Sequence, residues 1–127
     1  MKILFIIPFL LALTAQAEPL KVGSWNIAWL GSHKFNTRTP ADYERLAQYA
    51  KQLDADVIAL QEVENGEYAR KVFGDEYNYY FSTKNWVQRV GVAVRKSTGY
   101  QVSAKKYTKQ LSRSLSDHCP ISVELKL

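Results

Sequence analysis

Asp56-Val57-Ile58-Ala59-Leu60-Gln61-Glu62-Val63-Glu64-Asn65 is the stretch that decides the fold. Val57-Ile58-Ala59-Leu60 is a nearly continuous apolar run. Such a run predicts a strand buried on both faces, as in a sheet covered by helices. Gln61 and Glu62 follow at its mouth, so the strand delivers a carboxylate at one end of the sheet. Upstream, residues 21–28 alternate and carry Val22, Trp25 and Ile27, which predicts a second strand ending near Asn26. Between the two, Thr39-Pro40-Ala41-Asp42 has the chemistry of a helix start. Thr39 is the cap and Pro40 occupies the first turn. Tyr43, Leu46, Ala47, Ala50 and Leu53 then recur at helical spacing. Strand, helix and strand make a layered α/β unit, with the relative direction of the strands left open.

Downstream, residues 65–73 predict a short helix stopped at Gly74. Residues 77–82, 90–94, 100–107 and 121–127 predict further strands, with turns at 84–86 and 97–99. The expected class is α/β (α+β), a mixed sheet covered by one or two helices. Tyr77, Tyr79 and Tyr80 could stack on nucleobases. Tyr77 and Tyr79 share one face of their strand, however, which favours core packing.

The chain has 127 residues and a formal net charge of +5. Lys2, the apolar run over residues 3–13 and the Ala15-Gln16-Ala17 ending read as a signal peptide over residues 1–17. The run is short for a bilayer, which needs roughly 20 apolar residues. Residues 18–127 are then one secreted or periplasmic domain, and loss of Lys2 lowers its charge by one. The single cysteine, Cys119, allows no internal disulfide, so the fold rests on its core. Lys105, Lys106, Lys109 and Arg113 cluster before the tail. They are the candidate contacts to a polyanion, because neutralising phosphates releases counterions. A solvated charged face is the alternative reading of that cluster.

The chemistry gathers at three places. Ser116-Asp117-His118-Cys119-Pro120 puts a carboxylate beside a histidine just before a strand. Histidine titrates near neutral pH and can take a proton from an attacking water. Neighbouring residues rarely hydrogen-bond to each other in that role. His118 is therefore expected to face the site as base, and Asp117 to approach a metal or water. Glu62 is a hard oxygen ligand of the kind that suits Mg²⁺, which takes one or two carboxylates and keeps several waters. Asn26 can donate to a phosphate oxygen or accept from a metal-bound water. His33 has no metal-ligand spacing to another His or Cys and reads as a loop histidine.

Taken together, three segments resemble the endonuclease/exonuclease/phosphatase superfamily, the fold of pancreatic-type DNases. They are Lys21-Val22-Gly23-Ser24-Trp25-Asn26-Ile27, the stretch quoted first, and Ser116-Asp117-His118-Cys119-Pro120-Ile121. Gln61-Glu62-Val63-Glu64-Asn65 is similar to the secreted bacterial nucleases of that group. Gln88-Arg89-Val90-Gly91-Val92-Ala93-Val94 resembles their next core strand. The resemblance implies a DNase-like α/β sandwich and Mg²⁺- or Mn²⁺-dependent hydrolysis of phosphodiesters in nucleic acid or another phosphoester. It implies Asn26 at phosphate or metal, Glu62 as the main metal ligand, His118 as base and Asp117 in support.

The chain also departs from that pattern. Fifty-three residues separate Glu62 from Ser116. The family's middle histidine and its Gly-Asp-x-Asn motif are both missing there. Gly74-Asp75-Glu76-Tyr77 echoes the latter in the wrong place. The resemblance therefore implies an internal deletion before the tail and a truncated sandwich. One sheet face would be bare unless a homodimer or another element covers it. It also implies reduced activity, or a non-catalytic nucleic-acid-binding remnant of the same fold.

Overall fold

The computed structural model describes residues 18–83, 87–106 and 121–126. The expected signal peptide at 1–17, the turn at 84–86, Lys109, Arg113 and the tail motif with Asp117 and His118 lie outside the described residues. In chain order the elements are β1 (Val22–Leu30), α1 (Pro40–Leu53), β2 (Val57–Val63), α2 (Gly66–Phe73), β3 (Tyr77–Phe81), β4 (Arg89–Arg95), β5 (Gln101–Lys106) and β6 (Ile121–Lys126). One sheet has the order β1-β2-β4-β3, and β5 and β6 form a second. β1 and β2 run parallel, which the α1 crossover permits, while β4 is antiparallel to both β2 and β3. This is the expected α/β class with a mixed sheet. It is consistent with a truncated DNase-like sandwich.

Local chemistry fixes the helix ends. The Thr39 side chain accepts from the Asp42 amide, and Asp42 Oδ2 accepts from the Thr39 amide at 2.8 Å, a closed capping box. Hydrogen bonds to the Asp42 carboxylate from the Thr39 backbone and hydroxyl hold its pKa below the ordinary aspartate value. α2 starts at Asn65, whose Oδ1 accepts from the amides of Glu67 at 2.9 Å and Tyr68 at 3.1 Å. It stops at Gly74, where φ is +79°.

Alternation along the strands divides the core in two. Ile58 and Leu60 of β2, Ala93 of β4 and Tyr77 and Phe81 of β3 pack with Ala50, Ala69, Val72 and Phe73 on the helix side. Val57, Val92 and Val94 point the other way, against Tyr100, Val102, Ile121, Val123 and Leu125. The second sheet thus lies over the face that a shortened domain was expected to bare. The apolar run of β2 is explained by this arrangement, since both of its faces are covered. Each fully buried aliphatic side chain contributes about 1.5–3 kcal/mol.

Tyr77 and Tyr79 belong to the helix-side core, as their shared face predicted. The Tyr77 hydroxyl donates to the Ala55 carbonyl at 2.7 Å and the Tyr79 hydroxyl to the Gly74 carbonyl at 2.6 Å. Burial raises the pKa of both phenols. Tyr80 packs on the opposite side, against the valine cluster. All three tyrosines are therefore committed to packing. At the foot of the sheet, Asp54 Oδ2 lies 2.6 Å from Lys21 Nζ and Asp54 Oδ1 lies 3.0 Å from Arg95 Nη2. The Lys21 bond, ahead of Arg95, keeps the Asp54 carboxyl below its usual range. Among the described residues no helix is long and apolar enough to cross a membrane.

Candidate active site

β1 and β2 do not end where the sequence predicts. Both continue past the polar residues, to Leu30 and Val63, by passing through bulges. The parallel register is regular from Val22 opposite Val57 to Asn26 opposite Gln61, then resumes at Leu30 opposite Val63. β1 therefore spends three residues where β2 spends one. The β2–β4 pairing slips at the same level, between Leu60 and Val63. The hydrophobic core explains why the chain tolerates this. Ile27 and Leu30 are both buried, as are Leu60 and Val63, and all four lie in one cluster. Residues three apart can share a face of a strand only if a bulge shifts the alternation.

The backbone at these bulges is strained. Four non-glycine residues among those described have positive φ, and three of them are here: Ala28 at +37°, Trp29 at +63° and Glu62 at +57°. The fourth, Asp54, caps the end of α1. Left-handed backbone costs a residue with a Cβ roughly 1–2 kcal/mol. Strain of this kind persists where surrounding structure enforces it, and it collects at functional sites.

What the bulges achieve is a meeting of two side chains. Asn26 Nδ2 donates to Glu62 Oε1 at 3.0 Å, across the β1–β2 boundary. Asn26 Oδ1 accepts from the Ala28 amide at 2.9 Å, which fixes the orientation of the side-chain amide. The two candidates chosen from sequence are thus brought together, each held by backbone rather than by a flexible loop. Lys105 and Lys106 sit in β5, opposite Ser122 and Ile121 of β6.

The residues that support the pair were not legible as such. Arg38 donates to three carbonyls of the β1 bulge: Nη2 to Ile27 at 2.8 Å and Ala28 at 2.9 Å, Nη1 to Trp29 at 3.1 Å. The Asn36 side-chain amide also donates to the Ala28 carbonyl. Glu64, two residues beyond Glu62, accepts from the Ser32 amide at 2.6 Å and the Ser32 hydroxyl at 2.8 Å. A Cβ at Gly31 would collide with the Glu64 side chain, so glycine is required for that approach. His33 is a loop residue as expected. Its Nδ1 caps a short 3-10 turn by accepting from the Phe35 amide at 3.3 Å.

Among the described residues no three His, Cys, Asp or Glu side chains cluster as a metal cage. A single carboxylate on a rigid bulge is nonetheless a donor set that fits Mg²⁺, which dehydrates reluctantly and keeps most of its waters. Asn26 engages one Glu62 oxygen and would hold the carboxylate in place for such an ion.

No curated protein and no solved structure matches the chain significantly. The model of the Endonuclease/Exonuclease/phosphatase family matches residues 23–118. That span opens in the strand bearing Asn26, passes through Glu62 and closes on His118, and the chain belongs to this family of phosphodiester and phosphoester hydrolases.

Proposed function

We propose that the protein is a secreted bacterial-type nuclease, shortened by an internal deletion, that hydrolyses nucleic-acid phosphodiesters with Mg²⁺ or Mn²⁺. The observation that carries this reading is the Asn26–Glu62 hydrogen bond at coincident left-handed bulges of two adjacent strands. Burial of Leu30 and Val63 calls for the bulges, but nothing in core packing requires a carboxylate at the strained position.

The roles follow from the donor chemistry. Glu62 holds the ion, and Asn26 orients Glu62 and offers its amide to the substrate phosphate. The ion, when bound, polarises the phosphoryl oxygen and offsets the charge that develops on it. His118 takes a proton from the attacking water as its oxygen bonds to phosphorus. The bond from phosphorus to the leaving sugar oxygen breaks, and that oxygen takes a proton from solvent water. Asp117 supports the ion or the water. Lys105, Lys106, Lys109 and Arg113 meet the phosphate backbone, where each neutralised phosphate releases a counterion.

The test is cleavage of supercoiled plasmid DNA by the purified chain with Mg²⁺ and with EDTA, alongside His118→Ala. Nicking that needs the ion and fails in His118→Ala supports the reading. Salt-sensitive DNA retention on a filter with no turnover would instead identify a non-catalytic binding remnant.

A further inference from the structure

The end of β1 and the loop after it carry an aromatic stack that lies outside both hydrophobic core clusters. Trp29 and His33 have ring centroids 4.6 Å apart at 36°, and His33 and Phe35 are 4.5 Å apart at 43°. Trp29 and Phe35 meet edge-on at 6.2 Å. Lys34 Nζ lies 5.8 Å from the Phe35 centroid. None of the three rings belongs to either hydrophobic core cluster. Phe35 is 74% exposed, the most exposed large hydrophobic side chain among the described residues.

The loop is held in place despite its exposure. The Arg38 and Asn36 bonds to the β1 bulge fix its root, and Glu64 anchors Ser32 at its turn. The Arg38 and Asn36 bonds hold the bulge whose Ala28 amide orients Asn26. The stack therefore rises from the bulge that builds the candidate active site, with an ammonium at its outer ring.

We propose that Trp29, His33 and Phe35 form a stacking platform for an unpaired nucleobase of the substrate, with Phe35 as the ring that receives it and Lys34 meeting the adjacent phosphate. The proposal rests on the nucleic-acid reading given above and adds to it a preference for strands that can present an unstacked base, such as single strands and the locally unpaired regions of supercoiled DNA. Base-on-aromatic stacking is sequence-tolerant, because every base has a π-face, and its contribution adds to that of phosphate contacts. A duplex keeps its bases stacked on one another and cannot offer one to Phe35 without unstacking it. Tyr77, Tyr79 and Tyr80, the tyrosines whose sequence pattern first raised stacking, are consumed by packing. A lipid surface is the other partner that an exposed Phe beside a Lys could meet. The position of the stack on the rim of a phosphodiester site favours the nucleobase.

The experiment compares binding of the full chain, in EDTA, to a fluorescent oligodeoxythymidine and to an abasic strand of the same length. The two ligands carry the same phosphates and differ only in bases. The expected result is roughly tenfold tighter binding to the strand with bases, a difference lost in Phe35→Ala and restored in Phe35→Tyr. Phe35 is mostly exposed, so its removal leaves the core intact. Equal affinity for the two strands in the unmodified chain overturns the proposal. So does a Phe35→Ala variant that weakens both ligands alike. Phe35-dependent binding to phosphatidylcholine–phosphatidylglycerol vesicles, with no preference between the strands, also overturns it in favour of a membrane role. The binding assay contains no divalent ion, so absence of Mg²⁺-dependent cleavage of both the plasmid and the oligodeoxythymidine, with base preference intact, refutes the nuclease reading alone. Cleavage without base preference refutes the platform alone.

Discussion

Replacing Glu62 by glycine and, separately, by alanine isolates the backbone strain that the active-site account depends on. Both variants lose the carboxylate and with it the 3.0 Å bond from Asn26. Their difference therefore reports the backbone alone. At φ +57° a Cβ costs roughly 1–2 kcal/mol, which glycine avoids. Glycine forfeits about 0.5–1 kcal/mol of this through its greater unfolded-state freedom. The balance favours Glu62→Gly over Glu62→Ala by roughly 0.75 kcal/mol. In an ordinary strand the sign is reversed, with alanine ahead by roughly 0.5–1 kcal/mol. Urea unfolding followed by tryptophan fluorescence resolves the two cases. With a slope of about 2 kcal/mol per molar urea, the glycine midpoint should lie roughly 0.4 M above the alanine midpoint, at equal slopes. A midpoint for alanine equal to or above that of glycine refutes the reasoning. Glu62 would then sit in regular extended backbone, and no bulge would be aiming its carboxylate at Asn26.

Three further outcomes follow from named contacts. Gly91→Ala in β4 sets a Cβ against the Phe81 ring, which lies over it, and should lower stability by about 1–3 kcal/mol in a thermal melt. Arg38→Lys keeps the charge but cannot reach the three bulge carbonyls together. It should cost about 2 kcal/mol in urea unfolding and lower plasmid cleavage with it. Asp42 has a folded pKa below its unfolded one, so the stability it contributes is present above about pH 3.9 and is lost as pH falls through the lower folded value. Acid unfolding curves for Asp42→Asn should be flatter across that window than those of the unmodified chain, while a parallel curve would remove Asp42 as a source of the acid dependence.

Much of the fold was legible because single residues announce it. Thr39 caps α1 with Pro40 in its first turn, and the short helix expected over 65–73 forms as α2 and stops at Gly74. The apolar run of β2 is covered on both faces, as its composition requires. The bulges were not legible. Left-handed positions are usually marked by glycine, and here Ala28, Trp29 and Glu62 occupy them, held by contacts from elsewhere. Arg38 lies in a polar loop with no periodicity, and its role exists only once Ile27, Ala28 and Trp29 turn their carbonyls towards it. Asn26 and Glu62 are legible as site candidates because each follows the apolar residues of a strand. Their placement inside bulged strands rather than at strand ends depends on keeping Leu30 and Val63 in the core. The cover over Val57, Val92 and Val94 could not be read either, because it depends on pairing β5 with a strand fourteen residues further along the chain.

The central claim is that a carboxylate aimed by a strained bulge serves phosphodiester hydrolysis. Its most direct test is the initial rate of plasmid cleavage in Mg²⁺ by the unmodified chain and by Glu62→Gln. Glutamine keeps the length of the side chain and an oxygen for Asn26, and removes the charge that would hold the ion. The account predicts a fall of about 10²–10³-fold, the cost of losing one positioned electrostatic contact to a transition state. A Glu62→Gln variant that cleaves at the rate of the unmodified chain would contradict it.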